Sequence, residues 1–273
     1  MKQEVPMKLE RLFLTAAVAA AISFQLAAQQ PNPGYHTVAC FKLKPDSSAA
    51  FHKFETDDLA KVAQGRVDDG ELTSYYLLRS VFPQGESAQC DYLVVAFFPQ
   101  MPHAFGAEQL QAAIRKAGLS LTPDDYFKHR DALLKLISVS VFQNQTFAGA
   151  AKKGDYFQVN YMRVANDNFS DYLALEKNVW KPFAEALIKD GKEDAWSVNV
   201  LAMPSGSDLP YQVVTVDAYP GMDAVFQDDP QFLERFKKVH PEREFGTTIE
   251  RFEKLRTQAR VELYALEELI TAH

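Results

Sequence analysis

The chain has 273 residues, a net charge of −7, 47% hydrophobic residues and two cysteines, which excludes a disordered tail, a collagen-like fibre and a disulfide-dense mini-protein. Two cysteines are too few for a cysteine-rich zinc site, and we predict no metal site elsewhere. An acidic balance without a basic run excludes a nucleic-acid partner, because phosphates are bound by clustered Lys and Arg.

The first 28 residues have the pattern of a secretory signal peptide. Lys2, Lys8 and Arg11 precede an uncharged apolar run over residues 12–28, and a polar, turn-rich stretch follows. This order of basic, apolar and loop segments is typical of export signals. We therefore predict a signal peptide over 1–28 with an unassigned cleavage site, and a mature protein that is periplasmic or extracellular and free of the membrane. An uncleaved membrane anchor is the alternative.

The rest of the chain contains an internal repeat with an offset of 121 residues. Residues 35–101 and their partners 121 positions later share 12 identities in 67 positions, against about 4 expected from ordinary composition. Glu55 falls on Glu176, and the pair Asp69-Gly70 falls on Asp190-Gly191. Two copies of one supersecondary unit are therefore predicted.

Both copies show the same order of elements. An alternating strand (35–43; 156–164) precedes a helix that begins at an N-cap aspartate, Asp46 or Asp167, and ends at the Asp-Gly pair. Two strands separated by a Pro-x-Gly turn follow (73–81 and 91–98; 195–203 and 211–219). A longer helical stretch and a last strand (136–142; 259–266) close each copy. The order β-α-β-β-α-β is that of the ferredoxin-like unit.

We predict an α+β protein of two tandem ferredoxin-like repeats, 35–142 and 156–270, joined by a linker over 143–155. Each unit leaves one sheet face open, and two units can bury these faces by forming an intramolecular α/β barrel.

The second copy carries a set of residues that supports a family resemblance: Glu176, Trp180, Lys181, Pro182, Asp190, Gly191, Trp196, Pro204, Gly206 and Tyr211. This pattern and the tandem arrangement resemble the dimeric α/β-barrel superfamily, which includes antibiotic-biosynthesis monooxygenase-like and NIPSNAP-like domains. The resemblance is architectural and covers nearly all of residues 35–270. It implies cofactor-free or haem-dependent oxygenases and isomerases among many activities, so the fold does not select one.

Strand alternation assigns the two sheet faces. In the second copy we predict an apolar helix side that includes Val159, Tyr161, Val198 and Val214. The opposite, barrel-facing side would show Gln158, Asn160, Ser197, Asn199, Thr215, Asp217, Arg260, Glu262 and Tyr264. The matching face of the first copy would show Thr37, Ala39, Phe41, Tyr76, Leu78, Tyr92, Val94, Ala96 and Val141.

An apolar cavity with a few convergent polar groups is typical of a small-molecule site. We predict as ligand-binding residues Gln158, Asn160, Asn199, Asp217, Arg260, Glu262, Tyr76 and Tyr92. Asp217 and Glu262 are the candidate acid/base groups, since burial would raise the pKa of a carboxyl group and a neighbouring Arg260 would lower it. The alternatives are a polar face that meets solvent and an arginine–carboxylate pair that only satisfies the sheet.

The two cysteines predict a disulfide. The first and third strands of the unit are antiparallel neighbours, which brings Cys40 close to Cys90, and the second copy replaces them together by Tyr161 and Tyr211. In an exported protein this favours a disulfide; two buried free cysteines are the alternative.

Other conspicuous residues are interpreted as structural. Trp196 is predicted to pack under the helix that carries Trp180. Glu55 and Glu176 are assigned a salt bridge or a cap. His36 opens a strand and, in a barrel of this type, could face a haem or a substrate.

The functional prediction is an exported small-molecule binding protein, monomeric or homo-oligomeric, with no cofactor assigned. A cofactor-independent or haem-dependent oxygenase or isomerase is the first alternative, and a structural or interaction module is the second.

Overall fold

The computed structural model of the chain describes residues 34–102 and 106–272. The predicted signal peptide over 1–28 lies outside the described residues. No helix in the described ranges is both long and apolar enough to cross a bilayer.

In its described residues, 34–102 and 106–149, the first repeat contains four strands and four helices: β1 Tyr35–Leu43, α1 Ser48–Phe54, α2 Ala60–Asp68, β2 Ser74–Phe82, β3 Tyr92–Phe98, α3 Ala107–Lys116, α4 Pro123–Leu133 and β4 Leu134–Gly149. The second repeat has the same order with one more short helix: β5 Tyr156–Val164, α5 Phe169–Leu175, α6 Lys181–Lys189, β6 Ala195–Met203, β7 Val213–Tyr219, α7 Met222–Phe226, α8 Phe232–Val239, α9 Phe245–Leu255 and β8 Arg256–Thr271. In both repeats a π-helical turn, Glu55–Leu59 or Glu176–Trp180, joins the first two helices into one continuous helix.

The start of the first helix differs from the prediction in both repeats, and its end agrees with it. The N-cap residues are Ser47 and Asn168, and neither makes a side-chain cap hydrogen bond. The predicted caps are wrong because Asp46 adopts a left-handed φ of 60° and Asp167 lies in a 3-10 turn. The helices end at Asp69 and Asp190, each followed by a glycine with a positive φ of 69°, which the Asp-Gly pair predicted.

The eight strands form one closed antiparallel barrel within the single chain, in the order β1-β3-β2-β8-β5-β7-β6-β4. Each repeat keeps the strand order of a ferredoxin-like unit, with its first and third strands at the centre of its half. The predicted intramolecular barrel of two ferredoxin-like repeats is therefore confirmed.

The two halves close the barrel through their long last strands. The first part of β4 pairs with β1, and its end, from Val141 to Gly149, pairs with β6 of the second repeat. In the same way β8 pairs first with β5 and then, over residues 263–271, with β2 of the first repeat. The predicted linker 143–155 is therefore strand up to Gly149, and only residues 150–155 connect the halves.

Three large buried clusters follow from this arrangement. One lies between the first repeat's sheet and helices, and a second lies between the second repeat's sheet and helices, where Trp196 packs with Trp180 as predicted. The third cluster fills the barrel lumen, since it takes residues from both halves and none from a helix. The buried strand residues are therefore divided between the lumen and the two helix layers.

The predicted sheet faces are correct for β2, β6 and β8 and inverted for β1, β3, β5 and β7. The prediction is also wrong for Val141 of β4, which pairs with the outward-facing Thr37, whereas its neighbour Phe142 faces the lumen. Val159, Tyr161 and Val214 point into the lumen, whereas Phe41 and Tyr92 pack under the helices of the first repeat. The inverted strands are the central ones of each half and are covered on both faces. In β5 and β7 alternation separated a polar from an apolar face correctly, but it could not show which face meets the lumen, because both are buried.

Candidate functional site

The sheet separates the predicted ligand-binding residues into groups that do not meet. Arg260 and Glu262 pair with Tyr161 and Val159 across β5 and β8 and therefore face the lumen. Asp217 lies opposite Trp196, and Asn160 lies one pair further along the sheet, so both face the second repeat's helices. Gln158 is the cross-strand partner of Asp217 and shares that face. No single site contains the whole predicted set.

Two predicted residues of the remaining group lie in the lumen and one does not. Tyr76 packs in the lumen against Phe97 and Phe157, with ring centroids 4.9 and 6.1 Å away. Asn199 also faces inward, and its side-chain oxygen accepts a hydrogen bond of 3.2 Å from Asn144 of the first repeat. Tyr92 instead packs against Phe51 under the helices, at 4.6 Å between ring centroids.

The residues of β8 that face the lumen form a polar network at one end of the barrel. The Arg260 guanidinium lies 4.1 Å from the ring centre of Tyr161 and 5.8 Å from that of Tyr211. The two tyrosine rings contact each other edge to face at 4.7 Å. Arg260 Nη1 donates to the side-chain oxygen of Gln89 at 2.5 Å, which ties the network to the first repeat. We call this group of Gln89, Tyr161, Tyr211, Arg260 and Glu262 the barrel mouth.

Glu262 is the carboxylate of the barrel mouth. It accepts a hydrogen bond of 2.8 Å from the Tyr264 hydroxyl, and its Oε1 lies 3.5 Å from Arg260 Nε. The Glu262 side chain is 5% exposed, whereas that of Arg260 is 36% exposed. Burial raises the pKa values of Tyr161 and Tyr264, so both phenols are neutral at physiological pH. The Arg260 guanidinium therefore lies closer to solvent, and its partner Glu262 lies deeper in the lumen.

The disulfide lies in the same lumen cluster. Cys40 and Cys90 are bonded, with their Cα atoms 5.3 Å apart, which confirms the prediction. Tyr161 and Tyr211, the residues that replace them in the second repeat, form the edge-to-face pair of the barrel mouth. The repeat thus places a covalent link on one wall of the lumen and an aromatic pair on the other.

His36 faces the other end of the lumen, and its surroundings do not fit a haem. Its imidazole packs between Phe97 at 5.0 Å and Phe142 at 5.4 Å, the latter nearly parallel. The residue is 6% exposed, and its Nδ1 is buried. Burial lowers the pKa of His36 to about 4, so the ring is neutral at physiological pH. A haem could reach this ring only by displacing both phenylalanines.

The helix-side group of the second repeat contains two carboxyl groups that the sequence did not place beside Asp217. Asp217 accepts a hydrogen bond of 2.7 Å from the Asn160 amide. Glu176, at the start of the π-helical turn, and Glu193, just before β6, are buried in the same layer and interact electrostatically with Asp217. Burial raises the pKa of Glu176 to about 7 and raises those of Asp217 and Glu193 as well.

Several of these site residues were missed by sequence reasoning. Glu193 and Gln89 lie in loops, where alternation has no meaning. Comparison of the two copies could nevertheless have found Glu193, because the matching position in the first copy is the apolar Leu72. A polar residue in one copy opposite an apolar residue in the other marks a place where the two copies have diverged.

Comparison with known proteins shows a likeness in structure alone. No protein-family model and no curated protein matches the chain in sequence. A proposed monooxygenase of Lactobacillus acidophilus superposes with a TM-score of 0.55 at 10% identity, covering 88% of this chain and 96% of its own. A proposed monooxygenase of Fusobacterium nucleatum gives a TM-score of 0.56 at 9% identity, covering 88% and 95%. An anthrone oxidase-like protein gives 0.51 at 12% identity, covering 88% and 94%.

These neighbours match nearly the whole of both repeats. At such low identity the likeness concerns the fold and not the reaction. The chain therefore has the dimeric α/β-barrel fold, with both ferredoxin-like halves in one polypeptide.

Proposed function

We propose that the protein binds a small anionic molecule with an aromatic or apolar body at the barrel mouth. The observation that carries this proposal is the state of Arg260. Its guanidinium is half-buried over two tyrosine rings, and its buried Nε makes only a long ion-pair contact of 3.5 Å with Glu262 and no hydrogen bond within the described part of the chain. A partly desolvated guanidinium whose Nε lacks a close acceptor is suited to a carboxylate, sulfonate or phosphate group.

The surroundings of Arg260 favour an anion with an apolar body. Tyr161 and Tyr211 provide ring faces and edges, and the disulfide and Leu93 belong to the same apolar lumen cluster. Glu262 keeps its hydrogen bond from Tyr264 when the guanidinium turns towards a ligand. The carboxylate therefore stays satisfied while Arg260 exchanges partners.

The proposed place of action is an oxidising compartment outside the cytoplasm. The disulfide supports this, because such bonds persist where thiols are not kept reduced. The signal-peptide pattern over residues 1–28 supports the same assignment.

Binding of a defined probe tests the proposal. 8-Anilinonaphthalene-1-sulfonate combines a sulfonate with aromatic rings, and its emission reports transfer to an apolar site. We expect saturable binding to the protein purified from the export compartment, weakened at least about tenfold by Arg260→Met, which keeps the apolar stem but removes the charge. Arg251→Met, on an exposed position of α9, is the matched control and should bind like the unchanged protein.

Equal binding by the two arginine variants would refute the barrel mouth as the site. Native mass spectrometry and an absorption spectrum of the same preparation extend the test to a natural ligand. A co-purified anionic molecule that is lost in Arg260→Met supports the proposal and identifies the ligand.

An oxygenase or isomerase is the second candidate, and the likeness to two proposed monooxygenases supports it. Glu262 would then be the acid or base, because it is buried beside the proposed ligand position. Oxygen uptake with a bound ligand separates the candidates. Glu262→Gln should abolish turnover in an enzyme and change only affinity in a binding protein.

A further inference from the structure

The second repeat buries three carboxyl groups between its sheet and its helices. Glu176 is 4% exposed, Glu193 is 6% exposed and Asp217 is 7% exposed. They come from three separate elements, the π-helical turn, the loop before β6 and strand β7. Burial of three such groups is costly if all are ionised, because each loses its hydration.

Polar groups without partners surround these carboxyl groups. Within the described residues the Trp196 indole nitrogen and Glu193 Oε2 have no hydrogen-bond partner, although both are buried. The Tyr172 hydroxyl interacts with Glu176. Trp196 is the cross-strand partner of Asp217, so its indole lies on the same face of the sheet. Tyr172 and Glu193 both interact electrostatically with Asp217. Unsatisfied buried groups of this kind need a functional or chemical explanation.

The first repeat is an internal control for this cluster. At an offset of 121 residues, the positions of Asn160, Tyr172, Glu193 and Asp217 are occupied by Ala39, Phe51, Leu72 and Ala96. All four of these residues belong to the apolar layer under the first repeat's helices. Glu55, at the position of Glu176, is buried as well, so the first repeat keeps one of the three carboxyl groups and lacks the other two. The fold itself therefore does not need Glu193 and Asp217, which the second repeat carries in addition to its packing function.

The charged and titratable groups around the cluster do not neutralise it. Arg256, at the start of β8, is the cation that favours ionised Glu176. Tyr172 and Tyr219 face the carboxyl groups as neutral phenols, because burial raises their pKa values. His240 lies on the helix side and makes a 2.8 Å hydrogen bond with the Val179 carbonyl of the π-helical turn. One arginine therefore faces three buried carboxyl groups.

We propose that Glu176, Glu193 and Asp217 form a proton-binding site that couples the packing of the second repeat's helices to pH. When protonated, the carboxyl groups are neutral and the helix layer packs over them. When they ionise, the carboxylates repel one another in a water-poor layer and push the helix that carries Glu176 away from β7. The π-helical turn, an irregular part of that helix, is the place where the change begins.

The direction of the coupling follows from linkage. Burial raises the pKa of Glu176 from 4.5 in the unfolded chain to about 7 in the folded one, and it raises those of Glu193 and Asp217 in the same direction. The folded state therefore holds more protons than the unfolded state above pH about 4. The stability contributed by these groups is complete in acid and is lost as pH rises through neutrality.

The test compares the unchanged protein with variants in which Glu193, Asp217 or both cannot ionise. Asp217→Asn and Glu193→Gln keep shape and hydrogen-bonding atoms, and the combined change Asn160→Ala, Glu193→Leu and Asp217→Ala introduces the first repeat's residues at these three positions. Glu253→Gln, at an exposed position of α9, is the matched control. Infrared difference spectra at pH 7 should show the C=O band of protonated carboxyl groups in the unchanged protein and the control. That band should decrease in the cluster variants.

Urea unfolding at pH 4 and pH 8 provides the second measurement. We expect the unfolding constant of the unchanged protein, relative to that of Asp217→Asn, to rise at least about tenfold from pH 4 to pH 8. Groups common to both proteins cancel in this ratio. The chain's two tryptophans, Trp180 and Trp196, both lie in this helix layer. Tryptophan emission of the native protein should therefore change with pH in the unchanged protein and change less in the combined variant, in which Glu176 alone of the three groups can still ionise.

Two results would overturn the proposal. Parallel pH profiles together with no protonated carboxyl band would mean that the three groups are ionised in the folded protein. A stoichiometric metal ion in the purified protein that is lost in Asp217→Asn would mean that a cation, and not protons, neutralises the cluster. If a variant fails to fold, the infrared spectrum of the unchanged protein still decides whether protonated carboxyl groups are present.

Discussion

Loss of the disulfide should destabilise the protein by about 4 kcal/mol. Cys40 and Cys90 are separated by 50 residues, and the loop-closure entropy of a cross-link over such a length gives about 4 kcal/mol at 25 °C. This is a large fraction of the stability of a typical domain, about 5–15 kcal/mol. The second repeat has only the Tyr161–Tyr211 contact at the same place, and an aromatic pair contributes about 1 kcal/mol beyond its burial.

Equilibrium unfolding in urea, with and without a reducing agent, measures this effect. The reduced protein should unfold at a lower urea concentration and with a steeper dependence on urea, because the cross-link keeps the unfolded chain compact. The double variant Cys40→Ala, Cys90→Ala is the control, and the reducing agent should not change its unfolding. Both cysteines are about 5% exposed, so the reduced samples must be equilibrated from the unfolded side.

Two results would refute this reasoning. A difference below about 1 kcal/mol between oxidised and reduced protein would mean that the unfolded chain is not the state on which the cross-link acts. Two free thiols in the native, unreduced protein would mean that Cys40 and Cys90 are not bonded at all.

Two further predictions concern the lumen and the closure of the barrel. Burial lowers the pKa of His36 from 6.5 to about 4, so the stability that the neutral imidazole contributes is complete above pH 6.5 and is lost as pH falls to about 4. Urea unfolding at acid pH should show that His36→Phe reduces this acid-induced loss of stability by up to about 3 kcal/mol. An unchanged acid profile would mean that another group causes the loss. The ends of β4 and β8 pair with the opposite repeat. A fragment of residues 34–149 should therefore associate with itself or with a separate 156–272 fragment, as measured by analytical ultracentrifugation. A stable folded monomer of either half would contradict the closure of the barrel through these strand ends.

The candidate site could be predicted only in part, and the reason lies in the central strands. Alternation places Arg260, Glu262 and Tyr76 on the lumen face, where the structure has them. It fails for Asn160 and Asp217, because β5 and β7 are buried on both sides and carry apolar residues on each. A polar residue in such a strand indicates a buried polar site but does not show which face holds it.

The sequence by itself determined the repeat, the order of elements in each half and the disulfide pairing. These are local features or features repeated at a constant offset, and hydrophobic periodicity and turn residues carry them. The tertiary structure alone decided that the predicted barrel closes through the exchanged ends of β4 and β8. It alone decided that Arg260 and Asp217 lie on opposite sides of the sheet and that Glu176, Glu193 and Asp217 share one buried layer. These relations join residues far apart in the chain, and their geometry depends on how both halves pack, which no local pattern of residues contains.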